Sequence, residues 1–185
     1  TCVVGFEEDV QERVEEKVKV ETQNEPMNAE CSNSMSGDFE LACPVRGRVI
    51  PLTEVADEMF ATGAMGDGVG IAPFDGQVYA PCGGIVEVVF PTGHAIGISE
   101  NGVDTLIHIG INTVELEGNG FKAHVQQGDK IKKGDLLVSF DKDFIEQQGY
   151  DPTVIFIVTE MGEKKEMEIS AGKEVEALET IIKLK

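Results

Sequence analysis

From residue 41 onward the chain is a succession of short apolar runs, each closed by glycine or proline within a few positions: 48–51, 76–81, 84–90, 95–98, 104–109, 136–140, 153–158 and 180–184. Runs of this length, rich in Val, Ile and Thr and bounded by turn formers, fit strands and are too short for stable helices. Many of them at close spacing predict an all-β domain, an antiparallel sandwich or barrel-like fold over residues 41–185. Helix is expected only as a turn or two, over 143–148 and over 52–59.

Residues 1–40 read differently. Acids run through 7–30 with few bases between them, and 28–37 is small and polar, so this stretch is expected to be a flexible acidic linker. The spacing of Val10, Val14 and Val18 permits a short helix, but a lone segment of that length is marginal in water. Over the whole chain 34 acids face 15 bases. A net charge of −19 argues against nucleic acid, whose affinity comes from Lys and Arg neutralising phosphates, and points to a basic protein partner. The cysteines, Cys2, Cys31, Cys43 and Cys82, form no C-x-x-C pair, the usage of a reducing compartment. No run approaches the roughly 18–20 apolar residues that span a bilayer.

Only His94, His108 and His124 are available for histidine chemistry, and the first two flank a hairpin signal, Ser99-Glu100-Asn101-Gly102. Two registers fit it. A two-residue Asn101-Gly102 turn sets His94 opposite Ile109 and points the two imidazoles to opposite faces. A three-residue Glu100-Asn101-Gly102 loop with a left-handed Gly102 pairs Ser99 with Val103 and His94 directly with His108. The second register is favoured here. It puts Phe90, Thr92, His94 and Ile96 on one face with Leu106 and His108, and leaves Ala95, Ile107 and Ile109 to the core.

Facing imidazoles admit three readings. They can be ordinary strand residues. They can bind zinc, as in a zinc-dependent hydrolase on a related sandwich, although the usual third protein ligand is missing, no H-x-H or H-E-x-x-H motif is present, and His124 reads as surface. Or they can carry a phosphoryl group: one neutral imidazole attacks phosphorus while the other donates a hydrogen bond to the anionic oxygens. Adjacent cations repel, so pairing keeps at least one ring neutral near pH 7, and apolar surroundings keep water from a phosphohistidine. A fourth reading, a biotinyl or lipoyl carrier module, draws on the turn around Gly128-Asp129-Lys130-Ile131 but finds no Met-Lys-Met or Asp-Lys-Ala site for the modified lysine.

Several segments together resemble the glucose-type enzyme IIA domain of the bacterial phosphoenolpyruvate-dependent sugar phosphotransferase system. They are Pro44-Val45-Arg46-Gly47-Arg48-Val49-Ile50-Pro51-Leu52, Asp57-Glu58-Met59-Phe60-Ala61, Met65-Gly66-Asp67-Gly68-Val69-Gly70-Ile71-Ala72-Pro73, Thr92-Gly93-His94-Ala95-Ile96-Gly97 and, above all, Leu106-Ile107-His108-Ile109-Gly110-Ile111-Asn112-Thr113-Val114. The resemblance implies a β-sandwich in which His108 is phosphorylated on Nε2 by the phosphocarrier HPr and passes the group to a cysteine of a IIB domain. It implies that His94 supports His108 and that Thr92 belongs to the same site. It also implies an apolar docking surface of Phe60, Met65, Phe90, Ile96 and Leu106, with Asp57 at an acidic position that receives a basic partner. No cofactor and no metal is implied.

The chain departs from the family pattern twice. The family commonly has one more residue between the two histidines, a shortening that a three-residue hairpin loop would absorb. Asn112 stands where the family usually carries an aspartate, which weakens one expected contact with a basic partner. Finally, Val3-Val4-Gly5-Phe6-Glu7-Glu8-Asp9 resembles the end of a membrane IIC domain. The expectation is therefore a cytoplasmic domain tethered to the membrane in a fused permease of order IIB, IIC, IIA, as in β-glucoside, sucrose and trehalose transporters.

Overall fold

The structure, a computed structural model, describes residues 38–185; the expected linker and short helix within 1–37 lie outside the described residues. In chain order its strands are β1 (Phe39–Ala42), β2 (Gly47–Pro51), β3 (Asp67–Pro73), β4 (Gln77–Tyr79), β5 (Gly84–Val89), β6 (Ala95–Glu100), β7 (Val103–Ile109), β8 (Phe121–Ala123), β9 (Lys130–Ile131), β10 (Leu136–Phe140), β11 (Val154–Met161), β12 (Met167–Ile169), β13 (Glu174–Val175) and β14 (Thr180–Leu184). The short helices α1 (Glu58–Ala61) and α2 (Lys142–Gln147) and the 3-10 turns Leu52–Glu54 and Thr113–Leu116 lie between them.

An eight-stranded antiparallel sheet, ordered β13-β2-β3-β11-β7-β6-β5-β9, packs one face on two three-stranded sheets, β1-β14-β12 and β4-β10-β8. Val49, Ile71, Ile107, Ile109 and Phe156 from the large sheet join Leu41, Val138 and Ile182 from the small ones in one buried cluster. This is the all-β sandwich expected from the sequence. β7 shows how pattern becomes placement: Val103, Thr105, Ile107 and Ile109 are buried, while Asp104, Leu106 and His108 alternate with them toward the other face. β11 is buried at every position from Val154 to Val158, as a strand covered on both sides must be.

Two expectations need correction. The domain begins before residue 41: Phe39 and Glu40, read as linker, pair with Leu184 and Lys183 in β1, and Glu40 is ion-paired with Lys183 at 2.8 Å. The hairpin between β6 and β7 is the two-residue form, not the favoured three-residue loop. Glu100 pairs with Val103, Ser99 with Asp104 and Ala95 with His108. Asn101 and Gly102 both have positive φ, 54° and 79°, the conformation whose twist matches the flanking strands.

Candidate active site

The face of the large sheet turned away from the main core is built in rows. Ile50, Gly70, Ile155, His108 and Ala95 lie side by side across β2, β3, β11, β7 and β6. The next row runs from Gly68 through Ile157 and Leu106 to Gly97. The glycines make room. A Cβ at Gly70 would lie 2.7 Å from Val55 Cγ2 and 2.8 Å from Ile50 Cγ1, so only a bare backbone lets the connection between β2 and β3 lie down there. That connection buries Leu52, Val55 and Phe60 against Ile155, Ile157 and Ile111, a second and smaller apolar cluster bordered by Met65 and Leu106.

His108 stands at the edge of this cover, partly exposed on β7. His94 comes from residues 90–94, the loop joining β5 to β6. The Gly93 amide donates to the Phe90 carbonyl at 2.8 Å and Gly93 has φ 70°, so the loop is a tight turn and strand alternation does not extend back to His94. This is why the rings meet in the register that would separate them on a continuous strand. Their centroids are 4.9 Å apart and nearly perpendicular, at 81°. Phe60 flanks His108 at 5.1 Å and Phe90 flanks His94 at 5.5 Å, so four rings form a row with the imidazoles in the middle.

The polar contacts of the two rings differ. The Thr92 hydroxyl is in short hydrogen-bond contact with His94 Nδ1. His108 Nδ1 is sealed from solvent without a well-formed hydrogen bond. The Gly110 backbone favours the protonated ring somewhat. Burial is the dominant effect on both imidazoles and holds them well below the usual histidine range; for His94 the nearby His108 charge adds to it. Both rings are therefore neutral at pH 7. Because His108 is partly exposed while its Nδ1 is sealed, its reachable edge is the Nε2 side.

The structure brings together His108, His94, Thr92, Phe90 and Phe60. Met65 and Leu106 are half-buried beside them and belong to the same face. Ile96 is a correction: at 1% exposure it pairs with Ile107 and packs in the main core, because the two-residue turn swaps it with Ala95. Phe60, at 6% exposure, packs against His108 as part of the cover and offers a partner little surface. Asp57 caps α1, its carboxylate accepting from the Met59 amide. Asn112 is exposed at φ 57°, a left-handed conformation that Asn tolerates well. Among the described residues no group of three His, Cys, Asp or Glu that could hold a metal converges.

Sequence reasoning missed Gly68, Gly70, Ile155 and Ile157 as the site's floor. The signal was present in Asp67-Gly68-Val69-Gly70-Ile71: glycine at every second position is a strand with one bare face. It also missed Gly110, which is left-handed at φ 78° and whose backbone acts on His108.

Fold and site together define a class: an antiparallel β-sandwich that presents two uncharged imidazoles in apolar surroundings, one of them reachable. Residues 39–164 match the family described as phosphoenolpyruvate-dependent sugar phosphotransferase system, EIIA 1, and the chain belongs to that family. It is a phosphotransferase component, a phosphoryl carrier in sugar uptake. It is 41% identical over 150 residues to the PTS system glucose-specific EIICBA component of Staphylococcus saprophyticus, a match covering 80% of this chain and 22% of that protein. The glucose permease IIA of Mycoplasma capricolum has a similar structure, with a TM-score of 0.76 at 34% identity over 83% of this chain and 100% of that one. Among the described residues no helix is long and apolar enough to cross a membrane.

Proposed function

We propose that His108 Nε2 is the atom that carries the phosphoryl group. The observation that supports this most is the perpendicular pair of neutral imidazoles, 4.9 Å apart, of which only His108 has a reachable edge. In the Nδ1–H tautomer the Nε2 lone pair attacks phosphorus, and the bond from phosphorus to its donor breaks with the electron pair leaving on the donor. The donor is the phosphocarrier HPr. In the outgoing step a cysteine thiolate of a IIB domain attacks phosphorus and Nε2 recovers its pair.

His94 steadies the phosphoryl oxygens. A Thr92 hydroxyl that donates to His94 Nδ1 leaves the proton of the neutral ring on Nε2, where it can donate to an anionic oxygen. Such a charged hydrogen bond contributes roughly 1.5–3 kcal/mol. No Lys or Arg occurs between Arg48 and Lys122, so no permanent cation from that stretch traps the phosphorylated state. Met65, Leu106 and Phe90 form the apolar rim for HPr and IIB, with Asp57 nearby and Asn112 offering a hydrogen bond where a charge would attract a base.

Tethering in cis to IIC and IIB, on the cytoplasmic side of the membrane, is supported by the fused glucose-specific relative. The β-glucoside, sucrose or trehalose type expected from the N-terminal residues has no support in the relatives described above, both of them glucose permease components. Transfer of isotope-labelled phosphate from phospho-HPr tests the assignment. His108→Ala abolishes labelling, and undiminished labelling of that variant contradicts it.

A further inference from the structure

Asp57 was expected to face a basic partner, yet its carboxylate turns back on its own chain. α1 is four residues long, too short to persist on backbone hydrogen bonds alone. Asp57 Oδ1 accepts from the Met59 amide at 2.9 Å and from the Phe60 amide at 3.4 Å, and the Asp57 carbonyl accepts from the Ala61 amide at 2.9 Å. The buried residue of this single turn is Phe60. Its ring packs into the cluster of Leu52, Val55, Ile155 and Ile157 and stands 5.1 Å from His108, on a different side from His94.

We propose that Asp57 is a positioning residue: by capping α1 it holds Phe60 over His108, and so sets how far water reaches the acceptor ring. Oδ1 is engaged in the cap, so a partner can still meet the other oxygen, and the two tasks are separable by substitution. Asn retains a side-chain oxygen that caps and loses the charge; Ala loses both. The inference deepens the phosphoryl-carrier reading, but its structural half stands without that reading.

The test is a titration of His108 by its ring-proton resonances in the full 185-residue chain, for the natural protein, Asp57→Asn and Asp57→Ala. Asp57→Asn keeps the His108 midpoint where the natural protein has it, and Asp57→Ala lets it climb toward the ordinary imidazole value. The charged and titratable groups on the elements packed there are His94, Glu54, Glu58 of α1, Asp67 of β3, Asp104 of β7, Glu100 of β6, Arg48 of β2, Glu160 of β11 and Glu115. None of these changes in either variant, so a difference between Asn and Ala reports water at the ring. As the kinetic arm, phosphoryl acceptance from phospho-HPr falls about fivefold further in Asp57→Ala than in Asp57→Asn, the equivalent of a typical cap. Phe60→Leu, with the cap intact, raises the midpoint in the same direction and decides the matter should Asp57→Ala not fold. A midpoint that stays put in Asp57→Ala and Phe60→Leu, or that moves equally in Asn and Ala, overturns the proposal. A titration result as expected with no phosphoryl transfer in any form would instead count against the carrier reading.

Discussion

The two faces of the eight-stranded sheet use the same strands for opposite ends. One face carries a side chain at nearly every position and is sealed by two further sheets, with Ile107, Ile109, Val154 and Phe156 at or below 1% exposure. The other carries glycine at 68, 70 and 97 and alanine at 95, and the short connection holding Leu52, Val55 and Phe60 packs there with Ile111 against Ile155 and Ile157. Burial on the first face supplies stability without chemistry. Incomplete burial on the second dries two imidazoles enough to discharge them and leaves one edge open, which a fully packed face would not allow.

The sharpest way to break this comparison is to truncate neighbouring residues of β7. Ile107→Ala on the sealed face should cost about 2–5 kcal/mol in chemical denaturation. Leu106→Ala, one residue away on the open face, should cost far less and chiefly slow transfer to and from partners. Equal losses would mean that the faces do not differ as described. Next, His94→Gln should accept phosphate from HPr yet donate it onward 10–100 times more slowly, roughly the worth of one charged hydrogen bond. Normal onward transfer in single-turnover assays would remove His94 from the outgoing step. Gly70→Val, which fills the space that Val55 occupies, should destabilise by about 1–3 kcal/mol and raise solvent access at His108; a neutral result in denaturation would mean the cover does not rest on that glycine.

Acidification acts on both buried rings at once, at roughly 1.4 kcal/mol for each unit by which a ring's folded value lies below its ordinary one. The folded rings bind protons less readily than the unfolded chain does, so this contribution is full above pH 6.5 and is lost as pH falls toward about 4 for His108. Glu40, Glu168 and Glu179, lowered by Lys183, Lys185 and Lys173, act only below their ordinary 4.5. A His94→Gln, His108→Gln double variant should therefore flatten the stability profile between pH 4.5 and 6.5, and an unchanged slope there would speak against buried neutral imidazoles.

Much of this was legible beforehand, and each miss has a physical cause. Runs bounded by turn residues located β2, β4, β5, β6, β7, β10, β11 and β14, because a half-buried strand must alternate or be wholly apolar. β3 escaped because its bare face removes the apolar signal on which strand reading depends. β9 and β13, two residues each, lie below any periodicity. The histidine pair was anticipated through the wrong register: apolar residues occupy both faces of β6, so patterning could not choose, and the escape of His94 depends on a turn at Gly93 that no alternation rule describes. The same ambiguity put Ile96 on the partner surface when it belongs to the core. Asp57 and Phe60 were expected to meet a partner. Only the coordinates show the cap that ties one to the other.

The most direct measurement is phosphorus–nitrogen coupling in the phosphorylated, nitrogen-15 histidine-labelled protein. The account predicts one phosphoryl signal, coupled to Nε2 of His108, with His94 and His124 unmodified. Coupling to Nδ1, or to a ring other than His108, would contradict it.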